Sequence, residues 1–225
     1  SGNTSLLSQI GLFQGRAQSP GIQEGAGKAL MSIGGPAVDG LVRNIKRGNA
    51  ETRAYCVRLL GKIDDAGARE AVLESTNDPA PVVRWNALAA LENLDDERTY
   101  AAVRGAFTDK NADVRLTAVW VMYERQNPSM VRAGEEPKND ETAQRILDDA
   151  LTMTSDGDAD VRSMALALVY SYKDPRAVEA AAAAINDSVQ EIRWSAARVL
   201  GAKKDARAVD TLIEIFNCTA GKETT

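Results

Sequence analysis

Apolar and polar positions along this chain repeat in blocks, each centred on an arginine. With Arg53, Arg84, Arg115, Arg162 and Arg193 as position zero, the third residue after each is Cys56, Ala87, Ala118, Ala165 or Ala196, and the seventh is Leu60, Leu91, Met122, Val169 or Leu200. Successive anchors lie 31, 31, 47 and 31 residues apart. At ~100° per residue, positions −1, +3, +6, +7 and +10 gather on one side of a helix, between roughly 240 and 340°, and predict an amphipathic α-helix around every anchor. A fixed period of this length signals a repeat architecture and takes precedence over any local reading.

Twelve residues after the anchors stand Asp65, Asp96, Asp174 and Asp205, with Asn127 in the third copy. These side chains suit the N-cap of a second helix, and proline follows at Asn127-Pro128 and Asp174-Pro175. Six residues before the anchors stand Asp78, Asp109, Asp156 and Asp187, and Arg47 departs from the pattern in the first copy. Each unit is therefore predicted as a helix hairpin of 31 residues, and the chain as five full pairs between two half units. The first half unit is the segment Ile22 to Ile33, with Gln23 in the anchor place; the last is a lone helix from Ala206 to Phe216. Residues 1–21 are expected to form a capping segment, with a short helix near Leu6 to Phe13, or a loose tail; 22–217 the repeats; and 218–225 a polar tail. The 16 extra residues between the third and fourth anchors are read as a surface loop, Asn127 to Asp140, followed by a helix one turn longer than its counterparts.

The Asp-x-x-x-x-x-Arg pairs Asp78/Arg84, Asp109/Arg115, Asp156/Arg162 and Asp187/Arg193, with the adjoining Val-Arg-x-x-Ala block, resemble the HEAT-like repeat in its short bacterial form, similar to the repeats of phycobilisome lyase subunits. The resemblance spans residues 22–217 and implies an all-α fold, an α-solenoid whose hairpins stack into a right-handed superhelix. It also implies that these aspartates and arginines form a ladder of side-chain hydrogen bonds between successive units. Such a motif specifies fold and leaves function open.

Composition agrees with helices: alanine and leucine abound, and aromatic residues are 5% of the 225. A net charge of −5 argues against nucleic acid as a partner, which draws a basic stripe. No window approaches a membrane span, and the N-terminus lacks a basic leader, so a soluble, cytoplasmic monomer is the expectation, with a processed and exported chain left open. The chain has no histidine, and its two cysteines, Cys56 and Cys218, stand 162 positions apart, so His-based triads and the usual zinc spacings are absent. No metal, cofactor or catalytic residue is expected. The stretch SDGDADVR alternates Asp156, Asp158 and Asp160 as a calcium loop would, but Val161 stands where such a loop needs glycine and Ala167 where it needs glutamate. Cys56 fills a small core position taken by alanine in every other copy, which reads as a buried thiol.

One constellation remains. Positions +1, +5 and +8 lie near ~80 to 140°, almost opposite the apolar face, and there fall Trp85, Trp194, Trp120, Tyr123 and Tyr170, with Arg58 and Arg198. Two readings compete: an aromatic stripe along the concave side of the solenoid that binds a protein or peptide, or rings that fill gaps between neighbouring arginine helices. The leading expectation is a non-enzymatic scaffold with these seven residues as its contact face. The alternative, implied by the resemblance alone, is a lyase-type subunit that handles a bilin or similar tetrapyrrole.

Overall fold

The computed structural model describes residues 20–91, 96–126, 141–172 and 174–220. The helix expected near Leu6 to Phe13 and the 127–140 segment lie outside these residues. All regular structure in the described residues is helical: α1 (Pro20–Ile33), α2 (Val38–Arg47), α3 (Ala50–Leu60), α4 (Ala66–Ser75), α5 (Pro81–Ala90), α6 (Glu97–Gly105), α7 (Ala112–Gln126), α8 (Glu141–Met153), α9 (Ala159–Ser171), α10 (Arg176–Ala184), α11 (Gln190–Ala202) and α12 (Val209–Ala220). The last runs through residues 218–220, which the sequence assigned to the tail; no glycine or proline interrupts the helix before Gly221.

The helices begin where the caps predict. Asp65 accepts from the Ala68 backbone N–H at 3.0 Å and Asp96 from that of Thr99 at 2.7 Å, each satisfying a donor that the first helical turn leaves without a partner. Three of the arginine helices have caps of their own: Asn49 accepts from Thr52 N–H, Asn111 from Val114 N–H, and Asp158 from Asp160 and Val161 N–H.

Two compact units divide the chain at residues 118 and 119, within α7. In the first, α2 packs on α3, α3 on α4, α4 on α5, and the arginine helices α3 and α5 lie directly against one another. Glycine permits the closest approach: a Cβ on Gly61 would stand 2.5 Å from the Cβ of Ala90. In the second unit α8 packs on α9, α9 on α10, α10 on α11 and α11 on α12. The core of each follows the predicted face, with Cys56, Leu59, Leu60, Val83, Ala87 and Leu91 buried in one, and Val161, Ala165, Leu168, Val169, Ile192, Ala196 and Leu200 in the other. The apolar band is wider than the pattern suggested, because position +4 is also closed: Val57, Leu88, Val119, Leu166 and Ala197 are all buried. In the first unit the arginine helices α3 and α5 therefore pack both on their hairpin mates and on each other.

Candidate functional site

The arginines act as clamps between repeats. Arg84 donates from Nε to Asp109 Oδ2 and from Nη2 to Asp109 Oδ1, both at 2.7 Å, while its Nη1 donates to the carbonyls of Asp78 and Pro79. One guanidinium thus fixes the turn leading into its own helix and grips the aspartate of the next unit through a bidentate fork. Arg162 does the same to Asp187, at 2.8 Å for both bonds, and to the carbonyls of Asp156 and Gly157. Arg53, omitted from the expected ladder because Arg47 replaced its upstream acid, grips Asp78 at 2.8 and 2.7 Å and the carbonyl of Gly48. Arg115 donates to the carbonyl of Asp109. Arg193 clamps the carbonyls of Asp187 and Ser188, but the next ladder position, 218, is cysteine, and Glu214 approaches Arg193 Nη2 at 3.6 Å.

The aspartates are built to stay ionised. Burial opposes the charge of Asp109, but the Arg84 hydrogen bonds, the Asn111 N–H and the nearby cations outweigh it and hold the carboxyl below its ordinary range. Asp78 behaves alike beneath Arg53, and in Asp187 the Arg162 hydrogen bond is the largest influence. Each carboxylate also accepts the N–H two residues on, at Ala80, Asn111 and Val189. In SDGDADVR, Asp156 accepts the Asp158 N–H and Asp158 caps α9, so two of its three carboxylates serve the fold. The described residues contain no group of acids, cysteines or histidines arranged to hold a metal.

A second, exposed ladder joins the partner helices, and the sequence reading missed it. Arg98 reaches Glu70 at 2.9 Å, Arg176 reaches Asp148, and Arg207 reaches Glu179 at 3.2 Å, each across 28 residues. Arg176 and Arg207 also chelate their own cap residues, Asp174 and Asp205. The constant spacing of 28 was the available signal.

The aromatic residues occupy an intermediate layer. Trp85, Trp120, Tyr123, Tyr170 and Trp194 are all half-buried, whereas Ala54 and Leu116, at the same +1 place as Trp85 and Trp194, are buried. Position +1 thus borders the packing between neighbouring helices. Arg58 lies 5.0 Å above the ring of Tyr55, a cation–π contact within its own helix, and Arg198 is exposed. The first unit carries Arg58 and Trp85, and the second Trp120, Tyr123, Tyr170, Trp194 and Arg198. On the aromatic face of the second unit, Tyr170 Oη and Trp194 Nε1 are shielded from solvent and have no hydrogen-bond partner among the described residues. Burial raises the Tyr170 phenol well above its ordinary pKa, so it remains a neutral donor. On the outer edge of the same face, two residues before the anchors, Glu51, Asp113, Asp160 and Glu191 are exposed.

No helix among the described residues is long and apolar enough to cross a membrane. No curated protein matches the sequence. Among solved structures, the complex of CpcE and CpcF of phycocyanin lyase from Nostoc sp. PCC7120 is similar at 23% identity and TM-score 0.50, over 73% of this chain and 98% of that one. Computationally designed armadillo repeat proteins for modular peptide recognition are similar at 16% identity and TM-score 0.52, over 87% and 98%. A designed armadillo repeat protein in complex with the peptide (KR)4 gives 15% identity and TM-score 0.50 over the same shares. These likenesses concern the fold alone. The family model for HEAT repeats matches residues 38–123 and 147–222. With the helix hairpins, the 31-residue period and the arginine–aspartate clamps, that match over most of its length places the chain in the HEAT-repeat family, an all-α fold of the solenoid type.

Proposed function

We propose that this HEAT-repeat chain is a non-enzymatic scaffold that holds a protein or peptide against the outer face of its arginine helices, through Trp85, Trp120 and Trp194 with Tyr123, Tyr170, Arg58 and Arg198. The reading rests chiefly on Tyr170 Oη and Trp194 Nε1, two shielded donors on that face without an acceptor among the described residues. An unmade hydrogen bond of this kind costs ~1 to 3 kcal/mol, which the backbone carbonyls of a seated segment would recover once the side chains that shield the donors turn aside. Aromatic rings with a polar edge are also the side chains that most often anchor a partner.

The test is selection of displayed peptides on the immobilised chain, followed by titration of the winners against Trp194→Phe and Tyr170→Phe. These variants keep the rings and delete only the donors. Selected peptides should bind either variant at least ~5-fold more weakly, the equivalent of one hydrogen bond. Undiminished binding, or no selectable peptide, would refute the proposal. Saturable quenching of tryptophan fluorescence by a bilin would instead support the lyase-type alternative.

A further inference from the structure

We infer that the outer face of α12 is a second interaction surface, one that receives a helix hairpin of another protein with an apolar inner side and an arginine two residues after the N-cap of its second helix. This surface is separate from the aromatic face and does not rest on the scaffold reading.

Val209, Ile213 and Phe216 lie within ~60° of one another on α12 and are 50, 53 and 70% exposed. Val209 stands four residues and Phe216 eleven residues after the cap Asp205. The same two places are covered in earlier repeats: Tyr100 and Phe107 after Asp96 are buried, and after Asp174 Val178 is half-buried and Ile185 buried. α11 packs on α10, whereas no described helix stands beyond α12. The outermost unit of a stacked array ordinarily turns a polar face to water. Here the apolar side chains grow larger instead, since Ala181, Ala182, Ala184 and Ile185 give way to Leu212, Ile213, Ile215 and Phe216 at the same distances from the cap. A face kept for water would change the other way, so this one is built to be covered.

Charge and area indicate what covers it. Five residues after their caps, Glu70 and Glu179 are each taken by an arginine of the following unit, Arg98 and Arg207, which stands two residues after its own cap. Asp210 holds the same place after Asp205; it is exposed, and no ion pair reaches it among the described residues. The pair depends on the follower: Asp39 has none, and glycine, Gly67, stands where the following unit would carry its arginine. A bare Asp210 therefore calls for a hairpin that brings the cation. Three side chains of one helix offer on the order of 300 Å², against ~800 Å² per partner in a stable interface, so α12 of a second copy alone is too small an occupant. A hairpin adds contacts to α11, on which α12 packs. A second whole copy stacked in the same register would present Pro36 two residues after Gly34, and no cation. The occupant is thus a different chain.

A synthetic peptide of residues 188–220 serves as the probe, because it contains α11 and α12, the hairpin that follows α10 in this chain, with Arg207 two residues after Asp205. Fluorescence anisotropy of the labelled peptide should show saturable binding to the full chain, and amide exchange of an isotope-labelled full chain should slow in α12 and not in α2. Ile213→Glu in the full chain should weaken binding at least ~10-fold, since it sets a charge in an apolar contact. The exposure of Ile213 lets that variant keep its fold, which helical dichroism checks. Asp210→Asn in the chain and Arg207→Gln in the peptide should each weaken binding ~2- to 5-fold, and the two together by no more than either alone. Absence of binding, binding indifferent to Ile213→Glu, or additive losses from the charge pair would overturn the inference. So would dimerisation of the full chain in sedimentation velocity that Ile213→Glu abolishes, because a second copy would then be the occupant.

Discussion

Replacement of Arg84 by methionine removes one clamp while keeping most of the apolar stem. Arg84 is 8% exposed, and the pair it forms with Asp109 has side-chain exposures of 10 and 13%. The variant loses two bonds of 2.7 Å to the carboxylate and two to the carbonyls of the preceding turn, and it leaves Asp109 shielded with only the Asn111 N–H at 2.9 Å. Stranding one member of a buried ion pair costs ~3 to 5 kcal/mol, and the residual exposure here places the expected loss at ~2 to 4 kcal/mol. Arg98→Met is the matched control, since its pair with Glu70 is 65 and 50% exposed and should cost less than ~1 kcal/mol. Urea denaturation followed by helical dichroism would show a midpoint lowered by ~1 M or more for Arg84→Met and by little for Arg98→Met, at a urea slope of ~2 kcal/mol/M. The part of the effect that comes from the carboxylate should fade in acid, while the part from the two carbonyl bonds stays. The folded pKa of Asp109 lies below its unfolded value, so its contribution is complete above that unfolded value, near ~3.9, and is lost as pH falls through the folded one. Wild type and Arg84→Met should differ most at neutral pH, and the gap should narrow as pH falls through the folded pKa of Asp109. Equal midpoints for the two variants, or an Arg84→Met deficit that persists undiminished in acid, would refute the assignment of the clamp as the main bond between repeats.

Other changes test separate parts of the fold. Gly61→Ala should destabilise the first unit by ~1 to 3 kcal/mol despite alanine's higher helix propensity, because its Cβ meets Ala90 at 2.5 Å; thermal melts would reveal an unchanged or raised midpoint if the helices can separate freely. Tyr170→Phe should leave the free protein as stable as before or up to ~1 kcal/mol more so, since it deletes a shielded hydroxyl with no partner, and a clear loss in urea denaturation would mean the hydroxyl is bonded after all. Cys56, 5% exposed with its thiol pKa raised by burial, should stay unmodified during brief native iodoacetamide treatment and react in urea; mass mapping that finds it alkylated at once would contradict its packing.

The period was legible because each unit buries the same positions against the same neighbours, so Ala87, Ala118, Ala165 and Ala196 had to be small together. The clamp partners were harder to find. Asp78 lies six residues from Arg84 and twenty-five from Arg53, and only the longer pairing joins side chains. The shorter spacing drew the eye because it lies within one unit, yet it reflects the bond from Arg84 to the carbonyl of residue 78. Position +4 escaped the pattern because a helical wheel records one apolar face, whereas a helix inside an array touches neighbours on both flanks. For the aromatic residues, sequence assigned the face but not the depth. Whether a +1 residue is covered depends on what the next helix places opposite, and Leu116 is buried where Trp194 is half-covered.

The last clamp bears on where the array opens first. Arg193 holds the turn before its own helix, but cysteine takes the place of the next aspartate at 218, and Glu214 approaches the guanidinium only to 3.6 Å. Because stability in stacked repeats passes between nearest neighbours, the element joined by the weakest junction is the first to detach. Here that is α12, which packs on α11 without the bidentate fork that joins Arg162 to Asp187. Amide exchange in α12 therefore outruns exchange in α9 and α11, and opening spreads from α12 toward α11.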